Sequence, residues 1–238
     1  MIVYTDSCIK CCIRETEFGF CYIYDKLRYM KGTRFNPPQE WNPNQVRDRK
    51  GNDVDVVFNR YFLGLSHLAQ QVGQELSIDR VKHPKMIEIG SYMGESTLIF
   101  GSAINWDTIY CIDPLSGEEE MNSISGLDWV NVRSHFRENT KWFNVEHIEN
   151  YSYNVVDKFE DNSIDFIYID GNHTYEDVKR DIELYAPKIK TFGMIGGHDY
   201  DENWEGVRKA VDEVITNDKA LLKFDDNSWL IKKVNTIL

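Results

Sequence analysis

Basic side chains are scarce in this sequence. The 238 residues carry 27 Lys and Arg against 39 Asp and Glu, for a formal net charge of −12. Nucleic acids and anionic membrane surfaces select a basic footprint, so this balance argues against both as partners. Long apolar runs are missing as well. None approaches the ~20 residues that a membrane-spanning helix needs. Met1-Ile2-Val3-Tyr4-Thr5-Asp6 lacks the basic start and extended apolar region of a secretory signal, and the reading is a cytoplasmic protein. Cysteine is sparse and odd in number: Cys8, Cys11, Cys12, Cys21 and Cys111. No pairing framework emerges, so free thiols in a reducing compartment are expected. Cys8-x-x-Cys11-Cys12 with Cys21 has no second pair and no neighbouring histidine, which argues against zinc. Without a secretory signal, the triplets Asn150-Tyr151-Ser152 and Asn172-His173-Thr174 carry no glycosylation message. Internal repeats and low-complexity tracts are absent.

What is present describes an ordinary globular chain, 42% apolar and 13% aromatic, long enough for one α/β domain or a domain with an appendage. Residues 1–34 read as short strands or a hairpin. Residues 35–53, rich in Asn, Pro, Gln, Arg and Gly, read as a loop of lid or binding-segment length. Val57, Tyr61, Leu65, Leu68, Val72 and Leu76 recur at three or four residues and predict a helix, followed by a connector from Asp79 to Pro84. From Lys85 onward apolar runs alternate with helical patterns, the signature of a parallel sheet covered on both faces. The expected strands are Met86–Ile89, Thr108–Ile112, Val145–Ile148, Ile164–Ile169 and one beginning at Met194-Ile195. Leu221–Phe224 and Trp229–Ile231 flank Asp225-Asp226-Asn227 as a closing hairpin. Val130, Val132, Phe136 and Trp142 predict one helix; Val178, Ile182 and Tyr185, behind a Thr174-x-x-Asp177 capping box, predict another. A third carries Trp204, Val207, Val211 and Val214 on one face. Residues 115–127 read as a flexible insertion.

The chain is organised around Met86–Phe100, M-I-E-I-G-S-Y-M-G-E-S-T-L-I-F. A strand, a glycine turn and a helix in this order place backbone N–H groups around a small ligand. In a dinucleotide fingerprint a second glycine admits the pyrophosphate, but here Tyr92 stands in that place. Glu88, two residues before the turn, repels a diphosphate and attracts a ligand carrying an ammonium and a sulfonium. These residues point to S-adenosylmethionine over NAD. Asp113, 23 residues beyond Gly90, is placed to accept hydrogen bonds from ribose hydroxyls. Further polar groups fall where strands end, at 149–152 and at Asp170.

E-I-G-S-x-x-G-x-S-T resembles the first motif of the class I S-adenosylmethionine-dependent methyltransferases, whose loop wraps the amino-acid end of the cofactor. Downstream, I-D-F-I-Y-I-D-G-N-H-T-Y-E-D-V, then G-G-H-D-Y, then W-E-G-V-R-K-A-V-D-E are similar to one branch of that family. It includes O-methyltransferases acting on sugars of antibiotics and glycans, and cephalosporin hydroxylase-like proteins. The resemblance covers 85–233. It implies an α/β fold: a Rossmann-like open sheet, mostly parallel and seven-stranded, with an antiparallel C-terminal strand and helices on both faces. Residues 85–238 would form the cofactor-binding domain, and 1–84 an N-terminal extension serving as lid, oligomer contact or acceptor segment.

The same resemblance assigns cofactor binding to Glu88, Gly90, Ser91, Gly94, Ser96, Asp113, Ser152 and Asp170, with the run around Ser152 beside the adenine. In several relatives, carboxylates at the ends of the fourth and fifth strands hold a divalent metal beside the acceptor hydroxyl. The matching positions are Asp170 and Asp199, with His198 where some members carry another acid. Mg²⁺ prefers oxygen ligands, so His198 either weakens the metal or admits a softer cation. Asn172 stands where the sugar branch often has an acid and cannot accept a proton. That leaves His173 as the catalytic base, together with Asp170. Tyr92, Tyr175, Tyr200 and Trp204 are candidates to shape the acceptor pocket, while His83 and His147 read as structural. The expected activity is O-methylation of a hydroxyl on a sugar or other polyhydroxylated small molecule, by a chain that is a candidate homo-oligomer. Two rivals stand beside it: a dinucleotide oxidoreductase, disfavoured by Glu88 and Tyr92, and a non-catalytic or regulatory domain, kept open by Asn172 and His198.

Overall fold

The computed structural model describes residues 55–116, 129–214 and 221–232, with side chains from Gly64 onward. The expectations for residues 1–54 and for most of the 115–127 insertion lie outside them, as do Cys8, Cys11, Cys12 and Cys21. Helix α1 (Asp55–Ile78) comes first. Strand β1 (Lys85–Ile89), helix α2 (Glu95–Ala103) and strand β2 (Thr108–Ile112) follow. Then come α3 (Trp129–Thr140), β3 (Val145–Ile148), β4 (Ile164–Ile169) and α4 (Tyr175–Tyr185). The described chain closes with β5 (Ile189–Gly197), α5 (Glu205–Val214), β6 (Leu221–Lys223) and β7 (Trp229–Lys232).

Among the described residues the strands form one seven-stranded sheet in the order β3-β2-β1-β4-β5-β7-β6. β1 pairs in parallel with β2 and β4, β2 with β3, and β4 with β5. β7 runs antiparallel to both β5 and β6. This is the Rossmann-like sheet expected from the alternation of apolar runs and helices. The central strands are largely apolar because both faces are covered, with Glu88 and Asp165 as buried acids among them; every residue of β4 is buried.

Each face has its own apolar cluster. On one, Leu65, Leu68 and Val72 of α1 and Phe100 of α2 pack with Met86, Phe166 and Leu230. On the other, Ile182 of α4 and Val207 of α5 pack with Ile87, Ile89, Ile167 and Ile231. A fully buried side chain of this kind contributes roughly 1.5–3 kcal/mol. Helix α1 lies within the stretch expected to be an extension, yet it supplies part of the same cluster as the sheet. No helix among the described residues is long and apolar enough to cross a membrane.

Two helical expectations shift. The inward face of α3 is Val132, Phe136, Asn139 and Thr140, a 3.6-residue stripe that leaves Val130 pointing outward. Trp142 lies beyond the helix end, 60% exposed, with the Lys141 ammonium 4.9 Å from its ring centroid. Strand β5 begins at Ile189, earlier than Met194, because its pairing with β4 shifts register between Ile164 and Phe166. The surplus residues bulge, and Phe192 there takes φ 68°. Right-handed crossovers in an open sheet leave a crevice where the strand order reverses, between β1 and β4.

Candidate active site at the carboxyl ends of the strands

A cavity of ≈ 870 Å³ opens at that crevice. Its first wall is the bend after β1. Gly90 has φ 86°, and a β-carbon there would lie 2.0 Å from the Asp170 carbonyl oxygen. Gly94 has φ 76° and abuts Thr140 and Phe136 of α3. Between them Tyr92, at φ 43°, donates its N–H to Asp113 Oδ2 at 2.7 Å. The Leu115 N–H donates to Asp113 Oδ1 at 2.7 Å. The Ser91 backbone also hydrogen-bonds Asp113, which thus ties the end of β2 to the bend and still has lone-pair capacity for a ligand hydroxyl. Burial raises its pKa against these backbone hydrogen bonds. Asn139 Nδ2 of α3 donates to the Met93 carbonyl at 2.8 Å and braces the bend from below.

Gly90, Ser91, Ser96, Asp113, Ser152, Asp170, His173, His198 and Asp199 all line the cavity. The Ser91 side chain is buried and hydrogen-bonds the Cys111 thiol behind the bend. Two assigned residues sit elsewhere. Gly94 packs against α3, and Glu88 is fully buried behind the bend. There Glu88 Oε2 accepts from the Thr97 hydroxyl and from the Cys111 thiol at 3.5 Å. The Ser96 side chain also hydrogen-bonds this carboxyl. Burial pushes the Glu88 pKa up to about 7, against those hydrogen bonds. The carboxylate that does face the cavity from this motif is Glu95, in the first turn of α2.

At the far end, β4 and β5 deliver an alternation of acids and imidazoles. His173 Nε2 lies 2.8 Å from Asp199 Oδ2. His198 Nδ1 lies 3.0 Å from Asp199 Oδ1, and its Nε2 lies 3.7 Å from Asp226 Oδ2. Burial alone would lower the His198 pKa, but Asp199, Asp170 and Asp226 outweigh it and push it up to about 9. Burial likewise opposes ionisation of Asp199, yet His173 and His198 hold it well below the usual carboxylate range. Asp199 takes φ 60°, a strained conformation for a non-glycine residue of the kind that clusters at functional sites.

The side chains that converge as a ligand set are Asp170, His173 and Asp199, whose ligand atoms lie within 4.8 Å of one another. His198, expected in that set, is drawn instead toward Asp199 and Asp226. Two carboxylates and an imidazole suit a divalent cation. Trp204 lies against His173, with ring centroids 4.1 Å apart and 32° between their planes, and Tyr92 lines the cavity. Tyr175 and Tyr200 do not; their hydroxyls donate to Glu213 and Asp212 on α5.

Sequence reasoning missed Asp181, Arg180 and Asp226. Asp181 lines the cavity and accepts a hydrogen bond from the Ser152 hydroxyl at 2.5 Å. Burial pushes its pKa up to about 6. Its signal was present: position 181 falls within the inward stripe Val178, Ile182, Tyr185 of α4, where a carboxylate is out of place. Asp226 gave no such signal, because Asp225-Asp226-Asn227 also makes a sufficient hairpin turn.

Residues 87–200 match the model of a family described as a methyltransferase domain. Over 171 residues the chain is 28% identical to an uncharacterised protein of Acanthamoeba polyphaga mimivirus, covering 69% of this chain and 72% of that one. It is 24% identical over 119 residues to an uncharacterised protein of Sinorhizobium fredii, covering 48% of this chain but 13% of the larger protein. The fold resembles that of the O-methyltransferase NovP, with a TM-score of 0.63 at 14% identity over 90% of this chain and 98% of that one.

Proposed function

We propose that the chain, whose residues 87–200 match a methyltransferase-domain family, transfers a methyl group from S-adenosylmethionine to a hydroxyl of a sugar or other polyhydroxylated small molecule. The observation that carries this reading is the charge of the cavity. Glu95, Asp113, Asp170, Asp181 and Asp199 line it, and Glu88 lies directly behind its bend. Such a wall disfavours a diphosphate and favours a ligand bearing an ammonium and a sulfonium. The residues fit that cofactor: the bend presents backbone and the Ser91 side chain to its amino-acid end, and Asp113 stands at the ribose position. The cofactor supplies a methyl group already activated by its sulfonium.

The protein's part is alignment and proton transfer. His173, at the end of the cavity where β4 and β5 finish, accepts the hydroxyl proton. Asp199 Oδ2, 2.8 Å from Nε2, orients the ring and stabilises the imidazolium as it forms. Trp204, packed against the ring, limits its rotation. The convergence of Asp170, His173 and Asp199 favours a second use of these atoms, in which they hold a divalent cation that makes a nearby hydroxyl more acidic. A histidine nitrogen that holds the cation cannot also take the proton, so chelation separates the two uses.

Titration calorimetry of the purified chain with S-adenosylmethionine and with NAD tests the cofactor. Heat from the first and none from the second is the expected result; the reverse overturns the proposal in favour of an oxidoreductase. Turnover assays across hydroxylated acceptors, with and without chelator, test the chemistry. Cofactor binding with no product from any acceptor would favour a regulatory domain.

A further inference from the structure

Asp199 is gripped at both of its oxygens. A carboxylate only accepts hydrogen bonds, so each imidazole beside it is the donor. His173 Nε2 gives to Oδ2 at 2.8 Å, and His198 Nδ1 gives to Oδ1 at 3.0 Å. The first bond decides which nitrogen of His173 is left to take a proton. A neutral imidazole carries one N–H, Nε2 gives it to Asp199, and Nδ1 is therefore the acceptor. The second bond fixes the plane of the carboxylate. The terminal torsion of an aspartate is broad, and a partner on Oδ2 alone would leave it free to turn.

His198 lies between two acids. Its Nε2 is 3.7 Å from Asp226 Oδ2, so a carboxylate stands at each end of the ring. Asp226 belongs to the hairpin between β6 and β7, and its side chain is fully buried. Its Oδ1 accepts from the Ser228 N–H at 3.0 Å and its Oδ2 from the Ser228 hydroxyl at 2.8 Å. Helix α1 closes the other side. A β-carbon on Gly64 would lie 2.3 Å from Asp226 Oδ1 and 2.5 Å from the Asp226 nitrogen, so only glycine lets helix and hairpin meet there. The turn itself closes on backbone bonds, from Phe224 N–H to the Ser228 carbonyl and from Asn227 N–H to the Phe224 carbonyl. Burying a carboxylate beside them adds a desolvation cost, which the approach of His198 offsets.

We propose that Asp226 is a positioning residue for the transfer reaction: through His198 it fixes the Asp199 carboxylate, and so keeps Nδ1 of His173 as the nitrogen that takes the hydroxyl proton. This rests on His173 being the proton acceptor, and it adds a hairpin residue outside the cavity wall. Gly64 of α1 is part of the same device, because it provides the space in which Asp226 sits.

The test is proton NMR of the full chain in the presence of chelator, in the far-downfield region. A ring N–H held by a carboxylate is protected there from exchange with water. The native chain is expected to show a His173 Nε2–H resonance, identified by its loss in His173→Ala. Asp226→Asn keeps an oxygen to accept from Ser228 and removes the charge facing His198. It is expected to lose the His173 resonance to exchange while binding S-adenosylhomocysteine within roughly threefold of the native affinity. A merely structural acid would lower the melting temperature and leave the resonance in place, and that result overturns the inference. So does joint loss of the resonance and of S-adenosylhomocysteine binding, which would mean a collapsed cavity. A native chain without the resonance overturns the inference and leaves the cofactor reading standing; a native chain that binds no S-adenosylhomocysteine overturns that reading and the inference with it. Should Asp226→Asn fail to fold, Gly64→Ala displaces the same carboxylate from the side of α1 and is read in its place.

Discussion

The Asp170 carbonyl oxygen occupies the space that a side chain on Gly90 would need, 2.0 Å from where its β-carbon would stand. Two strands that each contribute to the cavity are thereby brought into contact at their tips. Gly90→Ala forces the bend off β4 and places an L-residue at φ 86°, a backbone cost of about 1–2 kcal/mol before the clash is counted. The expected outcome is a folded but destabilised chain that no longer binds S-adenosylhomocysteine, checked by thermal melting and calorimetry on one preparation.

His173→Ala removes the proposed proton acceptor and leaves the bend, Asp113 and the Ser152–Asp181 hydrogen bond in place. The turnover number is expected to fall by about 10²–10⁴, with affinity for S-adenosylhomocysteine within roughly threefold of the native value. A proportionate loss of both would instead mark His173 as a support of the cofactor site.

Glu88 makes a stability prediction with a definite sign. Its folded pKa, raised by burial to about 7, exceeds the ordinary 4.5. The folded chain therefore binds more protons than the unfolded chain between those values, and stability from this group is lost as pH rises through that window. At about 1.4 kcal/mol per pKa unit, the whole effect is on the order of 3 kcal/mol. Glu88→Gln should raise the melting temperature at pH 8 relative to the native chain and change it far less at pH 5. A Glu88→Gln effect of equal size at both pH values would contradict the buried-carboxylate account.

Much of this was legible in the sequence, and the reasons differ by residue. The places of Gly90 and Asp113 in the cavity wall were readable because a strand end followed by glycine, and an acid at the end of the next strand, are local patterns. The central strands were readable because burial on both faces demands runs rich in apolar residues, which Glu88 and Asp165 interrupt only singly. Glu88 was a different matter. Its neighbourhood in sequence placed it beside the bend, but strand alternation turns it to the same face as Met86, toward Thr97 and Cys111, behind the cavity's wall. His173 and Asp199 lie 26 residues apart in the chain, and only the parallel pairing of β4 with β5 brings them within hydrogen-bonding distance. Asp226 came from a hairpin that sequence could account for without any functional role.

Thr174 caps α4: its hydroxyl accepts from the Asp177 N–H at 3.2 Å, as the capping-box spacing anticipated. Thr174→Ala is expected to lower unfolding free energy by about 1 kcal/mol in urea denaturation. Because the cap immediately follows His173, the turnover number should fall too, by much less than in His173→Ala. An unchanged denaturation midpoint would show that the cap contributes nothing.

Helix α1 shares its apolar cluster with Met86 and Phe166 of the sheet. Trimming a recombinant fragment to begin at Lys85, where the recognisable motifs start, would strip one side of that cluster and leave oily patches on α2 and the sheet in contact with water. Such a fragment should aggregate even though every signature segment is retained, so the smallest soluble piece must begin before α1.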